Sequence, residues 1–383
     1  MKRTIYFDYN ATTPLDARVR DAMFPFLGEI WGNPSSVHHV GRRARALLDE
    51  ARDNTANLLG CKPSEVIFTS GGTESSNLAV IGTARRLKSK GRHIVTTQIE
   101  HHAVLHACEF LQKNEGFEVT YLPVDAEGRV SVQNLESSIR ADTILVCVMA
   151  ANNEIGTIQS VAEFGSICQE RDVVFYTDAV QWFGKEPFRD IHQFKADLVS
   201  ICAHKFHGPK GAGALFVRSP LLPEPIIVGG GHENERRAGT ENLAGIIGFF
   251  EALRLFVHTP VFSKEHLSPL TDRLIALLKT VPSVTLVGSQ KYRLPNTVAF
   301  VVRGTDSIAV LANLDLEGIC ASSGSACSSG SIEPSHVIRA LGVEEELQNS
   351  LVRFSLGRES TLEEVEQVEK VLPDIIFRAQ RFQ

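Results

Sequence analysis

The chain of 383 residues lacks the spacing that would turn its cysteines into a scaffold. There are seven of them, an odd number, and no two form a CxxC pair. This argues against a disulfide framework and suits free thiols in a reducing compartment. No stretch reaches the roughly 18 uninterrupted apolar residues of a membrane span. The first residues, "MKRTIYFDYNATTP", contain no apolar core of signal-peptide length. A cytoplasmic protein with no membrane contact is the expectation. Basic excess is missing too: 39 Lys and Arg stand against 45 Asp and Glu, a formal net charge of −6 that argues against a general nucleic-acid partner. His101, His102 and His106 cluster, as do His204 and His207, but neither HExxH nor paired-cysteine spacing accompanies them, so no metal is expected.

What is present is ordinary globular composition, 43 % hydrophobic and 22 % charged, in a chain long enough for two domains. Short apolar runs alternate with helical patterns. "EVIFTS" (65–70), "HIVTT" (93–97), "TILVCVMA" (143–150), "VVFYTD" (173–178), "ADLVSICA" (196–203) and "GALFVR" (213–218) read as buried strands. Residues 74–91 and 103–116 read as helices between them. Near-continuous apolar strands separated by helices predict an α/β fold with a mostly parallel sheet covered on both faces. After about residue 255 the pattern changes to a long helical region (262–280), a strand in 295–304 and a last helix over 361–380, which Pro373 is expected to bend or split. This predicts a second, smaller α+β domain.

Ligands of parallel α/β sheets gather beyond the carboxyl ends of the strands. There the sequence places "GGTES", "QIEHHAV", "ANNEIGT", "DAVQ" and "HKFHGPKG". Each alone has a plain reading. A Gly-Gly-Thr opening a helix is commonly a turn and cap as well as a phosphate cradle. A strand-end Asp can be a cap, and Lys205 a surface lysine. Together they offer an anion cradle, a carboxylate, a lysine and imidazoles at one end of one sheet. Pyridoxal 5′-phosphate needs that set: a phosphate to hold, an aldehyde to bind as a lysine imine and a pyridine nitrogen to keep protonated. The competing nucleotide fingerprints, GxGxxG and the P-loop, are absent.

"DYNATTP", "GNPSS", "EVIFTSGGTESSN", "EHHAV", "ANNEIG", "TDAVQ", "HKFHGPKG", "RRAGTEN", "SSGSACSSGSIEPSHVIRALG" and "RFSLGR" follow one another from residue 8 to 358. As an ordered set they resemble the cysteine desulfurases of the NifS/IscS type, fold-type I pyridoxal-phosphate enzymes of the class V aminotransferase family. The resemblance implies a large domain over 15–255 with a mostly parallel seven-stranded sheet. It also implies a discontinuous small domain of 1–14 and 256–383 that carries a mobile cysteine loop at about 321–333. It further implies a homodimer that converts L-cysteine to L-alanine and holds the sulfur as a persulfide. The sulfur then passes to an acceptor protein such as an iron–sulfur scaffold.

Residue by residue, the resemblance makes Lys205 the Schiff-base lysine, Asp178 the partner of the pyridinium nitrogen and His101 the imidazole stacked on the ring and a catalytic proton shuttle. Asn153 and Gln181 fall beside the phenolic oxygen. Gly72, Thr73 and His204 fall at the phosphate, and Thr240 reaches the phosphate of the neighbouring subunit. Arg353 would fork onto the substrate carboxylate with Asn33 as helper; without "RFSLG" it would read as a surface salt bridge. Cys202 stands where the family has serine, and a thiol is a weak donor to phosphate.

Cys327 sits among serines and glycines, which give a segment little to bury. It is an incidental thiol or the attacking one; the flanking motif, which resembles the long-loop group of the family, favours the attacking role. A selenocysteine lyase or another fold-type I enzyme is the alternative, because either chalcogen suits the same mechanism. A non-catalytic scaffold subunit is a third reading, against which Lys205, Asp178, His101, Cys327 and Arg353 together argue.

Overall fold

The computed structural model describes residues 4–324 and 333–381. Its strands, in chain order, are β1 (Ile5–Tyr6), β2 (Val66–Thr69), β3 (His93–Thr97), β4 (Glu118–Leu122), β5 (Thr143–Cys147) and β6 (Val174–Asp178). They continue with β7 (Leu198–Cys202), β8 (Gly213–Val217), β9 (Val284–Val287), β10 (Thr297–Val302), β11 (Ile319–Cys320) and β12 (Val352–Ser355). Seven of these form one sheet in the order β2-β8-β7-β6-β5-β3-β4. Only β8 runs against its neighbours. The chain returns to it from β7 through a short connection, which suffices for an antiparallel partner, whereas each parallel step needs a crossover.

Alternate residues of each strand point to opposite faces. Phe68, Val95, Val146, Phe175 and Val199 pack on one side against Leu48, Phe249 and Leu253 of the helices His39–Leu59 and Leu243–Phe256. Ile67, Ile94, Leu145, Tyr176 and Leu198 pack on the other against Leu78, Val104 and Leu111. Both faces are dry, which is why these strands read as unbroken apolar runs. β4 was not apparent as a strand because it is an edge with only Leu122 buried. The crossover after β2 starts at Gly72–Asn77, widens to a π turn at Leu78–Gly82 and ends with Thr83–Leu87, so the expected single helix is interrupted. Gly82 at that turn lies so near the Glu224 carbonyl that a Cβ would sit 2.5 Å from it.

A separate core gathers Ile5, Phe7 and Tyr9 with Phe262, Leu274, Phe300, Phe354 and Leu372. It lies on the antiparallel sheet β12-β10-β9, while β1 pairs with β11. The closing helix Leu362–Gln380 begins at a capping box of Thr361 and Glu364 and runs unbroken through Pro373. The expectation that Pro373 would split it is corrected: the proline is exposed, where water can take the carbonyl it frees.

Candidate active site

The carboxyl ends of the parallel strands meet at one cavity of about 210 Å³. β2 leads to Gly72 and Thr73, β3 to His101, β5 to Asn153, β6 to Asp178 and Gln181, and β7 to Cys202, His204 and Lys205; all line it. Arg353 enters from β12. The residues before β1's core partner Tyr9 and after it fold over the top. Asp8 bridges Ser355, and the Thr13 amide and hydroxyl donate to the His204 carbonyl at 3.1 and 2.9 Å.

Lys205 is half-buried, its Nζ donating to the carbonyls of Asn10 and Ala11 at 2.8 Å each. Burial, with the Arg353 charge adding, pulls its amine down to about 8. A fraction of it is therefore uncharged near neutrality and able to attack a carbonyl. Asp178 accepts the Val180 amide at 2.9 Å, and burial pushes its carboxyl up to about 6. A cation placed beside it would draw that value back down, so the carboxylate is set to receive a positive ring nitrogen.

His101 caps the helix His102–Glu115, its Nδ1 accepting the Ala103 amide at 3.1 Å. Burial and the Lys205 charge lower the ring to about 4. The imidazole is neutral, and the proton it carries is on Nε2, the nitrogen not engaged by the cap. His204 is lowered further, to about 3, by burial and the same lysine, and its Nδ1 lies 3.1 Å from Thr12 Oγ1.

Arg353 is 1 % exposed. It donates through Nη1 to the Asn153 carbonyl and through Nη2 to Asp8 Oδ1, both at 2.7 Å, while its buried Nε has no partner among the described residues. A planar cation held on two sides with a donor to spare suits a small carboxylate in the cavity. The surface-salt-bridge alternative for this residue is overturned by its burial.

The opposite wall suits a phosphate. A Cβ on Gly72 would sit 2.9 Å from Val180, and Gly71 has φ +146°, so both positions demand glycine. The amides of Gly72 and His204 face the Cys202 sulfur, which lies on this wall. Asn33 and Thr240 are exposed and outside the cavity of the single chain; the Asn33 side chain instead accepts the Ser35 amide at 2.8 Å. Cys327 lies outside the described residues. Among the described residues, no group of three His, Cys, Asp or Glu side chains is placed to hold a metal. None of the helices there is long and apolar enough to cross a membrane.

Reasoning from the sequence missed Asn10 and Ala11, which line the cavity and receive the lysine. They act through backbone carbonyls, which leave no residue-type signature; the quoted "DYNATTP" was the one available signal. It also missed Asp8, for which an acid opening that motif was the hint.

A parallel sheet, a lysine beyond β7 and an acid at the end of β6 define an enzyme class, and the sequence model of class-V aminotransferases matches residues 5–368. The chain belongs to that family and, within it, to the cysteine desulfurases. It is 49 % identical over 377 residues to the cysteine desulfurase IscS of Dictyoglomus turgidum, covering 98 % of this chain and 95 % of that one. Among solved structures, a NifS-like protein superposes with TM-score 0.91 at 36 % identity, over 98 % of this chain and all of the other. SspA, solved in complex with cysteine, does so with TM-score 0.81 at 34 % identity, over 94 % of this chain and all of that one. The architecture is accordingly that of the fold-type I enzymes.

Proposed function

We propose that this enzyme takes the sulfur from L-cysteine as a persulfide on Cys327, releases L-alanine, and does so with pyridoxal 5′-phosphate in the cavity around Lys205. The observation that carries the reading is the Lys205 amine, drawn down to about 8 and facing the same cavity as Asp178 and Arg353. The groups present answer each part of the cofactor. Lys205 would bind its aldehyde, Asp178 its ring nitrogen, His101 its ring face, Asn153 and Gln181 its phenolic oxygen. Gly72, Thr73 and His204 would hold its phosphate. When bound, it supplies an electron sink next to the substrate α-carbon.

The chain's own residues do the rest. Arg353, with Asn33 as helper, orients the substrate carboxylate. Lys205, as a free amine, would move the α-proton. The Cys327 thiolate attacks the substrate sulfur: an S–S bond forms as the Cβ–S bond breaks, and the carbon takes up a proton to become alanine. The thiol proton needs an acceptor; neutral His101 takes it on Nδ1 only by releasing the Ala103 amide that this nitrogen caps.

The residues that bracket residues 325–332 are anchored beside the cavity. Ser322 exchanges backbone hydrogen bonds with Arg353 at 3.2 and 2.7 Å. Ser335 donates to Glu154 Oε2 at 2.5 Å, next to Asn153 in sequence, and His336 Nε2 bonds the Glu100 carbonyl at 2.9 Å, next to His101. These anchors on either side of it in the sequence support Cys327 as the attacking thiol.

Exposed Phe24, Leu27, Trp31 and Val37, and Thr240 outside the single-chain cavity, support a homodimer in which Thr240 serves the partner's phosphate. The six free thiols among the described residues support a reducing, cytoplasmic setting, from which the sulfur passes to an acceptor protein.

Mass spectrometry after incubation with cysteine tests the reading. One added sulfur on the peptide containing Cys327, absent from Cys327→Ala, is expected together with alanine. Alanine formed at the full rate by Cys327→Ala removes that residue from the mechanism.

A further inference from the structure

Behind the cavity wall lies a second buried lysine. Lys185 follows Gln181 by four residues and is 2 % exposed. Its Nζ donates to Asn10 Oδ1 at 2.6 Å and, more closely still, to Gln181 Oε1. The Phe262 ring centroid lies 5.2 Å away. Burial, and then the charges of Lys205 and Arg353, push the amine well below its ordinary range. A buried amine is costly, and an apolar chain of the same length would fill the space. What the apolar chain could not do is donate.

Donation to a carboxamide oxygen decides which way that carboxamide faces. With Oε1 turned to Lys185, the Gln181 nitrogen faces the other way, where it donates to the Asn10 carbonyl at 3.0 Å. An amide nitrogen has two protons, so one is left for an acceptor in the cavity that Gln181 lines. Asn10 is fixed by the same amine. Its Oδ1 receives Lys185 and Asn296, and its Nδ2 donates to the Asn153 carbonyl at 3.2 Å and to Thr297 Oγ1 at 2.9 Å. The Asn10 carbonyl, held in this way, is also one of the two that receive Lys205.

We infer that Lys185 is a positioning residue: by donating to Gln181 Oε1 and Asn10 Oδ1 it aims the Gln181 N–H at the anionic ring oxygen of pyridoxal phosphate. The inference rests on the reading of the cavity as the site of that cofactor. A donor on the ring oxygen spreads its charge and weakens its pull on the proton of the neighbouring Lys205-linked nitrogen. Loss of the donor therefore moves the pH midpoint of the cofactor's visible band upward.

The experiment is a pH titration of that band in the loaded enzyme. Lys185→Met, which keeps the length against Phe262, is expected to raise the midpoint by about one pH unit. Gln181→Ala is expected to raise it equally, and the double variant no further than either single one. Lys185→Leu is a second donor-free variant, and whichever of the two folds decides the matter. An unshifted midpoint in the donor-free variant, or shifts that add in the double variant, overturns the inference alone. A wild-type chain that takes up no pyridoxal phosphate overturns the reading of the cavity, and the inference with it.

Discussion

The two ends of the seven-stranded sheet are made by the same strands and look nothing alike. At the amino-terminal end lies a cleft of about 930 Å³ ringed by Arg86, Lys90, Arg140, Arg171 and Arg218. At the carboxyl end lies a cavity of about 210 Å³ with two cations, Lys205 and Arg353. By size and by charge count the first is the better site. Its charges are exposed to water or paired, however: Arg86, Lys90 and Arg171 are exposed, Arg140 forks onto Asp142 at 2.8 and 2.7 Å and reaches Glu118 at 2.6 Å, and Arg218 pairs with Asp197 at 3.3 Å. At the carboxyl end, among the described residues, Lys205 is met only by neutral carbonyls, Arg353 keeps an unpartnered Nε, and Asp178 is buried without a cation in hydrogen-bond reach. Chemistry gathers where burial leaves charge unsatisfied, because there each pKa is displaced toward use.

The largest test of that contrast is Lys205→Ala. Desulfuration is expected to fall at least about 10³-fold, with loss of the absorbance band of the lysine-linked cofactor. A normal band in this variant refutes the assignment. In the wild-type chain the rate of cofactor capture should rise with pH through a midpoint near 8, where Lys205 sheds its proton. Burial disfavours the charged amine, so the reactive neutral form appears at lower pH than for a free lysine, whose midpoint lies at about 10.4. A midpoint at the free-lysine value would erase the difference between the two ends.

Arg353→Lys comes next. An ammonium cannot reproduce a fork held by Asp8 and the Asn153 carbonyl. The KM for cysteine should rise roughly 10–100-fold, with a smaller change in kcat. An equal fall in kcat at unchanged KM would mean that Arg353 does not hold the ground-state carboxylate.

How much of this was readable in advance follows from the same physics. β3 is 93–97 both in the sequence pattern and in the fold, because its β-branched run of Ile94, Val95, Thr96 and Thr97 suits a buried strand. β4 escaped because its faces are half wet, and β1 and β11 because two residues carry no pattern. Asp178, His204 and Lys205, which line the cavity, could be placed there from the polar residues that close or follow apolar strands, whereas Cys202 came only from the family resemblance. Asn10 and Ala11 were invisible because carbonyls have no letter in the sequence. Lys185 carries no signal in the sequence, since only the tertiary fold brings Asn10 and Phe262 around it.

A smaller effect is expected at the phosphate wall. Cys202 is buried, and its thiol is pushed up by that burial, so it remains protonated and a poor donor. Cys202→Ser restores a full hydroxyl beside the Gly72 and His204 amides. The cofactor should be held about 3–10-fold more tightly, the worth of one good hydrogen bond. Faster cofactor loss from the serine variant would count against the placement of Cys202 on the phosphate wall.

The smallest effect belongs to the other end of the sheet. Arg140→Gln removes both of the ion pairs that Arg140 makes with Glu118 and Asp142. These charges are half-exposed, so water and salt screen them, and the carboxylates left behind are simply hydrated. The melting temperature should change by about 2 °C or less, and turnover of cysteine not at all. Arg353→Gln, which loses the same one positive charge at the other end, is expected to cost most of the substrate affinity. A strong effect of Arg140→Gln on turnover would mean that charge count, and not burial, sets where this sheet does its chemistry.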